Sequence, residues 1–363
     1  MEFPTHIDAI KERIADIDPK KYAATRNYAD GALTYLSPYI SRGVISTKQV
    51  FEYIQSLGLP WNEIEKLVQE LAWRDYWQQV WIAKGDDIHS DLKHEQMGVS
   101  HHDIPTTIIE AKTGIDAIDK GIKSLYETGY MHNHMRMYVA SVTCNIAQAH
   151  WLTPARWMYA HLLDGDLASN QLSWQWVAGA FSNKKYYANQ DNINNFFYDD
   201  QKNTFLDVEY DAFEELPIPK VLTETRSFEM KTKLPQVDSP QLDPTKKTLI
   251  YNYYNLDPNW HADEDYQRVL LIEPSMFEKY PVSDKCIDFM LNLATNIPNI
   301  IVFVEEFDNF VKQTSAALLT FKEHPLNTHY RGKEESRDWM SSTTGYFPSF
   351  FQFWKKCKKE LME

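Results

Sequence analysis

The sequence predicts a mainly α-helical domain over residues 1–200, an extended linker or strap over 201–245, and a small α/β domain over 246–363 that ends in a helix. Three observations carry this. Long stretches of the first 200 residues run without Gly or Pro while apolar residues recur every three or four positions. The next stretch concentrates prolines, five between Glu214 and Lys247, and loses periodicity. Beyond it, short apolar runs alternate with a helical stretch, the signature of an α/β unit.

Taken in order, LTYLSPYISRGVIS (33–46) sets Thr34 and Ser37 beside Pro38 at a helix entrance. Hydroxyls next to unsatisfied backbone N–H groups make either an ordinary N-cap or an anion site. Glu63 to Ala83 reads as one amphipathic helix, and within it ELAWRDYW (70–77) puts Glu70, Trp73 and Trp77 on one face with Arg74 beside them. That face is either an aromatic core stripe with a solvated Glu, or a carboxylate placed among tryptophans to bond a buried ligand. Gly114–Tyr126 and His132–His150 are helical, with Gly129 as the stop between them. In MHNHMRM (131–137), Asn133 and Met137 lie one turn apart, and Arg136 on an apolar helix needs an acidic partner.

Pro154 opens a helix running to Leu163, and another follows Asp166 through Trp176. LLDGDLASNQLSWQW (162–176) offers Asp164 and Asp166 to Arg136 and sets Asn170 one turn before Trp174, with Trp176 pointing elsewhere. No His or third acid stands at ligand spacing beside these acids, so no metal is expected. TLIYNYY (248–254), RVLLIEP (268–274) and NIIVFVEEF (299–307) read as strands, with a helix over Ser283–Asn296 and a parallel pair. The stretch 339–360 reads as a packing tail helix with a basic end, or as an interface.

Composition narrows function. At 43% apolar and 24% charged residues the chain matches folded globular proteins. No run approaches 18 apolar residues, so no membrane span is expected. The N-terminus lacks a basic region followed by an apolar core, and Cys144, Cys286 and Cys357 are too scattered for a disulfide framework, which points to a reducing cytoplasm. The net charge of −14, half of it in residues 1–200, opposes nonspecific attraction to nucleic acid. A DNA partner would need a local patch or a base drawn into a pocket.

Together, in this order and with these separations, LSPYISRGVIS, ELAWRDYW, TGYMHNHMRM and LLDGDLASNQLSWQW resemble the helical FAD-binding domain of the DNA photolyase and cryptochrome family, over roughly residues 20–200. The resemblance implies FAD folded into a U beneath a pocket open to DNA. By it, Tyr22, Arg26, Thr34, the backbone of Leu36, and Ser37 hold ribityl and phosphate groups, with Arg74 on the other side. Arg136 pairs with Asp164 against the flavin, Asp166 meets the ring or the adenine end, and Asn170 faces flavin nitrogen five.

The same resemblance implies a light-driven lyase that splits cyclobutane pyrimidine dimers in DNA. Glu70 and Trp73 form one wall of the lesion pocket, Asn133 and Met137 contact the bases, and Trp176 is the opposite wall. Glu70, Asn133 and Asn170 carry the catalytic roles. Trp174 and Trp151 match the flavin-proximal and middle members of an electron-hopping chain. Its surface member has no counterpart, since Gly98 falls at that place, which leaves another aromatic such as Trp157 or a different route.

The family's N-terminal α/β antenna domain does not precede these helices, so no antenna chromophore is expected beside FAD. His134 stands where an Arg commonly meets lesion-strand phosphate, which points to single-stranded or distorted DNA. The resemblance also leaves open a cryptochrome-like blue-light photoreceptor, in which photoreduction alters the strap or the C-terminal unit and thereby a protein partner.

Overall fold

The computed structural model describes residues 2–237 and 240–363; Met1, at the head of the expected helical domain, and Asp238 and Ser239, in the expected strap, lie outside the described residues. The chain packs as two compact units that do not follow chain order. One comprises residues 21–33 and 84–229, the other 2–20, 34–83 and 230–363. Residues 2–20 and 34–83, expected to share a domain with the rest of 1–200, thus group with the α/β segment. No helix among the described residues is long and apolar enough to cross a membrane.

The first unit is helical. Asp116–Thr128 buries Ala117, Ile118, Ile122 and Leu125 along one face and stops at Gly129. That glycine has φ +73, and a Cβ there would lie 2.5 Å from the Leu163 side chain, so only glycine fits. Asn133–Ser141 follows and runs into a π-helical turn, Val142–Ile146, whose five residues are all buried. The helix expected to reach His150 therefore ends at this π turn. Asn145 secures the turn by donating Nδ2 to the Val177 and Tyr186 carbonyls.

Leu152–His161 begins two residues before Pro154. Leu167–Ala178 is capped by Asp166, whose Oδ1 accepts from the Ser169 N–H at 2.7 Å, and closes at Gly179 with φ +83. Trp151, Trp157 and Trp174 share this unit's buried core with Ile118, Met135 and Val139. The strap is not one extended piece. Its first part holds a 3₁₀ turn, Tyr210–Glu215, buries Phe213 and Leu222, and adds a two-residue strand, Thr225–Arg226, antiparallel to Ile104–Pro105. Residues 230 onward belong to the second unit.

The second unit contains a five-stranded, wholly parallel sheet. Its order is Ile301–Val304, Gln267–Ile272, Thr248–Tyr251, Leu319–Lys322, Lys333–Glu335. The expected strands all lie in it, each shorter than its apolar run, and the expected helix spans Asp284–Ala294. Leu319–Lys322 and Lys333–Glu335 extend it beyond the expected parallel pair. The central strand is buried at all four positions, as both-face coverage requires, while the edge strand Lys333–Glu335 is short and charged, which discourages edge pairing.

Strand order reverses between Thr248–Tyr251 and Leu319–Lys322, the place where parallel sheets open a crevice. Here Arg42 fills it. Its guanidinium lies 3.6 Å from the Tyr253 ring centroid and 4.9 Å from that of Tyr254, which stacks on His324 at 4.6 Å. Gly43, at φ +64, passes so close that a Cβ would meet the Tyr254 carbonyl oxygen at 2.3 Å.

Also in this unit, the Trp61–Lys84 helix is covered by the C-terminal helix Phe350–Leu361. Trp73 stacks on Phe350 with centroids 3.7 Å apart and planes 8° from parallel, and Trp61 stacks on Trp354 at 6.4 Å. Lys358 Nζ reaches Glu65 at 2.6 Å. This aromatic seam is why residues 61–83 group with the chain's far end rather than with the helices that follow them.

Two measurements test this packing. Phe350→Ala removes a buried ring from the seam and is expected to cost about 3–5 kcal/mol in urea unfolding. Asp75, buried beneath the seam, accepts from the Thr47 hydroxyl at 2.9 Å and the Met340 N–H at 3.1 Å. Burial nonetheless pushes its carboxyl up to about 6. The folded chain therefore holds this proton more tightly than the unfolded chain, so stability is highest below the ordinary carboxylate value and falls as pH rises to about 6. Asp75→Asn should flatten that window and add on the order of 2–3 kcal/mol at pH 7, read from denaturant midpoints across pH.

Candidate functional site

The centre of the first unit is an ion pair. Arg136 projects from the Asn133–Ser141 helix and donates Nη2 to both oxygens of Asp164, at 3.0 and 2.9 Å, and Nε to the Met131 carbonyl at 2.8 Å. The Asp164 side chain is only 3% exposed, that of Arg136 21%. Between them they join the start of one helix to the turn that launches another. Asp166, two residues on and also buried, is the cap of Leu167–Ala178.

One turn into that helix, Asn170 donates Nδ2 to the Ala155 carbonyl at 2.8 Å, which fixes the amide and leaves its oxygen as an acceptor for a donor elsewhere. Its neighbour Gln171 is fully buried, and neither atom of its amide has a hydrogen-bond partner among the described residues. A buried amide in that state calls for a polar group the polypeptide does not supply. Two carboxylates, a fixed amide and an unsatisfied amide thus fall within eight residues.

Trp174 and Trp151 are both buried. Trp157, the aromatic considered for a surface end of an electron chain, is only 1% exposed, its indole N–H bonded to the Tyr126 hydroxyl at 2.9 Å; it is no surface terminus. Trp176 differs from its neighbours: at 37% exposure it is the tryptophan that this helix presents to solvent. Asn133 is exposed and Met137 half-buried on the Asn133–Ser141 helix. His134 is buried, with Nδ1 against the Asn27 carbonyl at 3.1 Å, and burial pushes its imidazole below the ordinary range. It does not replace a phosphate-facing Arg at the surface. Tyr22 and Arg26 are half-buried, and Arg26 donates to the Ala23 carbonyl at 3.1 Å.

The remaining expected residues lie in the second unit. Ser37 opens a five-residue helix, Ser37–Ser41, whose N-cap is the buried Leu36 and which no side chain caps. Thr34 accepts instead from the Leu36 N–H at 3.5 Å. Arg74 donates to the Ser41 hydroxyl at 2.6 Å. Glu70 pairs with Lys66 at 3.0 Å, one helical turn away, and keeps about a third of its side chain in solvent. Trp73 has one face taken by Phe350.

Two residues that the sequence left unmarked matter here. Gln175, between the tryptophans of WQW, is fully buried and accepts from the Leu92 N–H while donating to the Ile88 carbonyl. A glutamine within so apolar a stretch was its only signal. Asp91, in the polar loop DLKHEQ, bonds the Trp151 indole, and nothing in that loop's composition marks it out.

Residues 67–225 match the family model described as the FAD binding domain of DNA photolyase. A deoxyribodipyrimidine photo-lyase of Streptomyces griseus is 34% identical over 153 residues, covering 42% of this chain and 33% of that protein. One of Alkalihalophilus pseudofirmus is 30% identical over 161 residues, covering 43% and 34%. The match thus spans about a third of the length of these relatives. A solved cryptochrome structure from Synechocystis sp. is 21% identical with a TM-score of 0.47, covering 61% of this chain and 49% of that one.

The ion pair gives a direct test. Arg136→Met leaves Asp164 charged and buried and is expected to cost about 3–5 kcal/mol in denaturant unfolding, while Arg136→Met with Asp164→Leu recovers most of that loss.

Proposed function

From the match of residues 67–225 to the FAD binding domain of DNA photolyase, we propose that this chain is a light-dependent flavoprotein lyase that splits cyclobutane pyrimidine dimers in DNA, acting in the cytoplasm. The observation that carries the reading is Trp176, an exposed indole on a helix that otherwise buries its tryptophan and also carries Asn170. An exposed aromatic face on a rigid helix is what a base drawn out of a strand stacks on.

On this reading FAD is the cofactor, and when bound and reduced it supplies a photoexcited one-electron donor. Arg136, Asp164, Asp166 and Asn170 would hold the ring, the carboxylates as acceptors and the guanidinium as a nearby positive charge. Tyr22, Arg26, Thr34, Leu36, Ser37 and Arg74 are assigned to the ribityl and phosphate groups. Trp176 stacks on a splayed base, Asn133 bonds an imide edge, and Met137 covers the apolar side. Glu70 bonds the polar edge of a pyrimidine, and Trp73 is the remaining substrate residue. The net charge of −14 weakens any grip on duplex phosphates, which favours single-stranded or distorted DNA.

One observation favours a second reading, a blue-light photoreceptor with a protein partner. Trp73, assigned to substrate, has a face committed to Phe350 in the C-terminal helix.

The deciding experiment follows dimer loss under blue light in single-stranded and duplex DNA with the purified, reduced protein. Repair is expected, greater on single strands, and Glu70→Gln should slow it about 10- to 100-fold. Dimers left intact in both substrates would sink the lyase reading; light-dependent proteolysis within 201–245 in the same preparation would then select the photoreceptor.

A further inference from the structure

The Trp151 indole is fully buried, yet its Nε1–H points at a carboxylate that reaches water. It donates to Asp91 Oδ1 at 2.6 Å. The same oxygen lies 3.2 Å from His150 Nε2, and Asp91 Oδ2 accepts from the Gln96 N–H at 2.7 Å. His150 Nδ1 accepts from the Leu152 N–H, which assigns the ring proton to Nε2 and makes His150 a second donor to Asp91. Burial pushes that imidazole below its ordinary range, in keeping with a neutral ring. Its outer face is stacked on the exposed His102 at 4.8 Å. Asp91 keeps 20% of its side chain in solvent.

A buried indole N–H bonds a carboxylate more strongly than a backbone carbonyl, and this carboxylate also reaches water. The partner makes chemical sense if the indole is oxidised in function. An indole that has lost one electron is a far stronger N–H acid than the neutral ring, and a carboxylate at 2.6 Å is then both a counter-charge and a proton acceptor. The surface tryptophan of the hopping chain has no counterpart in this sequence, where Gly98 falls at its place, so proton loss offers an electron hole on Trp151 an outlet of its own.

We propose that Asp91 is the proton acceptor for oxidised Trp151, so that proton release to solvent does here what a third tryptophan does elsewhere. The proposal rests on the reading of Trp151 as an electron relay. The step balances as follows. Bound, photoexcited flavin would supply the one-electron oxidant and be reduced by one electron; Trp174 gives up that electron and is refilled by one from Trp151. The Trp151 Nε1–H bond breaks, an O–H bond forms on Asp91 Oδ1, and a neutral indolyl radical stands beside a neutral carboxylic acid. Asp91 passes the proton to water through its exposed edge. Return of the electron to Trp151 is then blocked until the ring regains a proton, which leaves time for a solvent thiol to reduce it.

The test uses the full-length, flavin-loaded protein and needs no DNA. Laser-flash absorption separates the cationic from the neutral tryptophan radical. Wild type should convert one to the other with a solvent deuterium isotope effect. Asp91→Asn, which retains an acceptor for the Gln96 N–H, should slow that conversion about 100-fold, and Asp91→Glu should restore part of it. In the dark, the Trp151 indole N–H resonance in a nitrogen-15 NMR spectrum should shift in Asp91→Asn while the other indoles stay in place, so that misfolding is not mistaken for a lost proton path.

Proton loss at the wild-type rate in Asp91→Asn overturns the proposal and leaves Trp151 as a relay. A flash that produces no tryptophan radical sensitive to Trp151→Phe overturns both, and is recognised because wild type itself then lacks the signal.

Discussion

The buried pair of Arg136 with Asp164 is the constraint on which the first unit turns. An isolated buried carboxylate is prohibitively costly, so once Asp164 is inside, the Asn133–Ser141 helix must present Arg136 to it. That fixes the register of one helix against the turn that starts the next, because Gly129 and Leu163 close the same junction from the other side. Asp166 is thereby held where it caps Leu167–Ala178, and everything that helix carries inherits its position: Asn170, Gln171, Trp174 and Trp176. Such a pair adds little net stability over an apolar substitute. Its contribution is to specify one arrangement of polar groups, as a cofactor site requires.

Part of this unit was legible in the sequence. Gly129 as a stop is encoded locally, and an arginine on an apolar helix demands the acidic partner that Asp164 supplies 28 residues on. The π turn at Val142–Ile146 was not, since inserting a residue into a helix leaves the apolar spacing nearly intact and depends on Asn145 finding the Val177 carbonyl far along the chain. Asp91 was illegible for a similar reason: a polar residue in a polar loop acquires meaning only from the buried indole that folding brings to it, 60 residues away in sequence.

The division into units was the least legible feature. Periodicity places Trp73 and Trp77 on an apolar face but does not say what covers it. The answer lies some 275 residues downstream, where Phe350 and Trp354 stack on Trp73 and Trp61. Aromatic seams are cheap to order because each large face has few rotamers to lose. A terminal helix rich in Phe and Trp can therefore claim such a face even with the whole sheet between them in sequence.

The parallel sheet is best understood through Arg42. Sheets with this reversal of strand order ordinarily leave their ligand crevice at the reversal, and here an arginine lies against two tyrosine rings in it. Gly43, at positive φ against the Tyr254 carbonyl, lets the backbone descend that far. Burial and the nearby guanidinium groups of Arg337 and Arg42 hold His324 well below its ordinary pKa, so the crevice keeps a neutral ring stacked on Tyr254 instead of a second cation. A fold whose edge is elsewhere a ligand site thus has that edge occupied by residues 42–43. Within this unit, the sheet's physical work is to hold the segment that carries Ser37, Glu70 and Arg74.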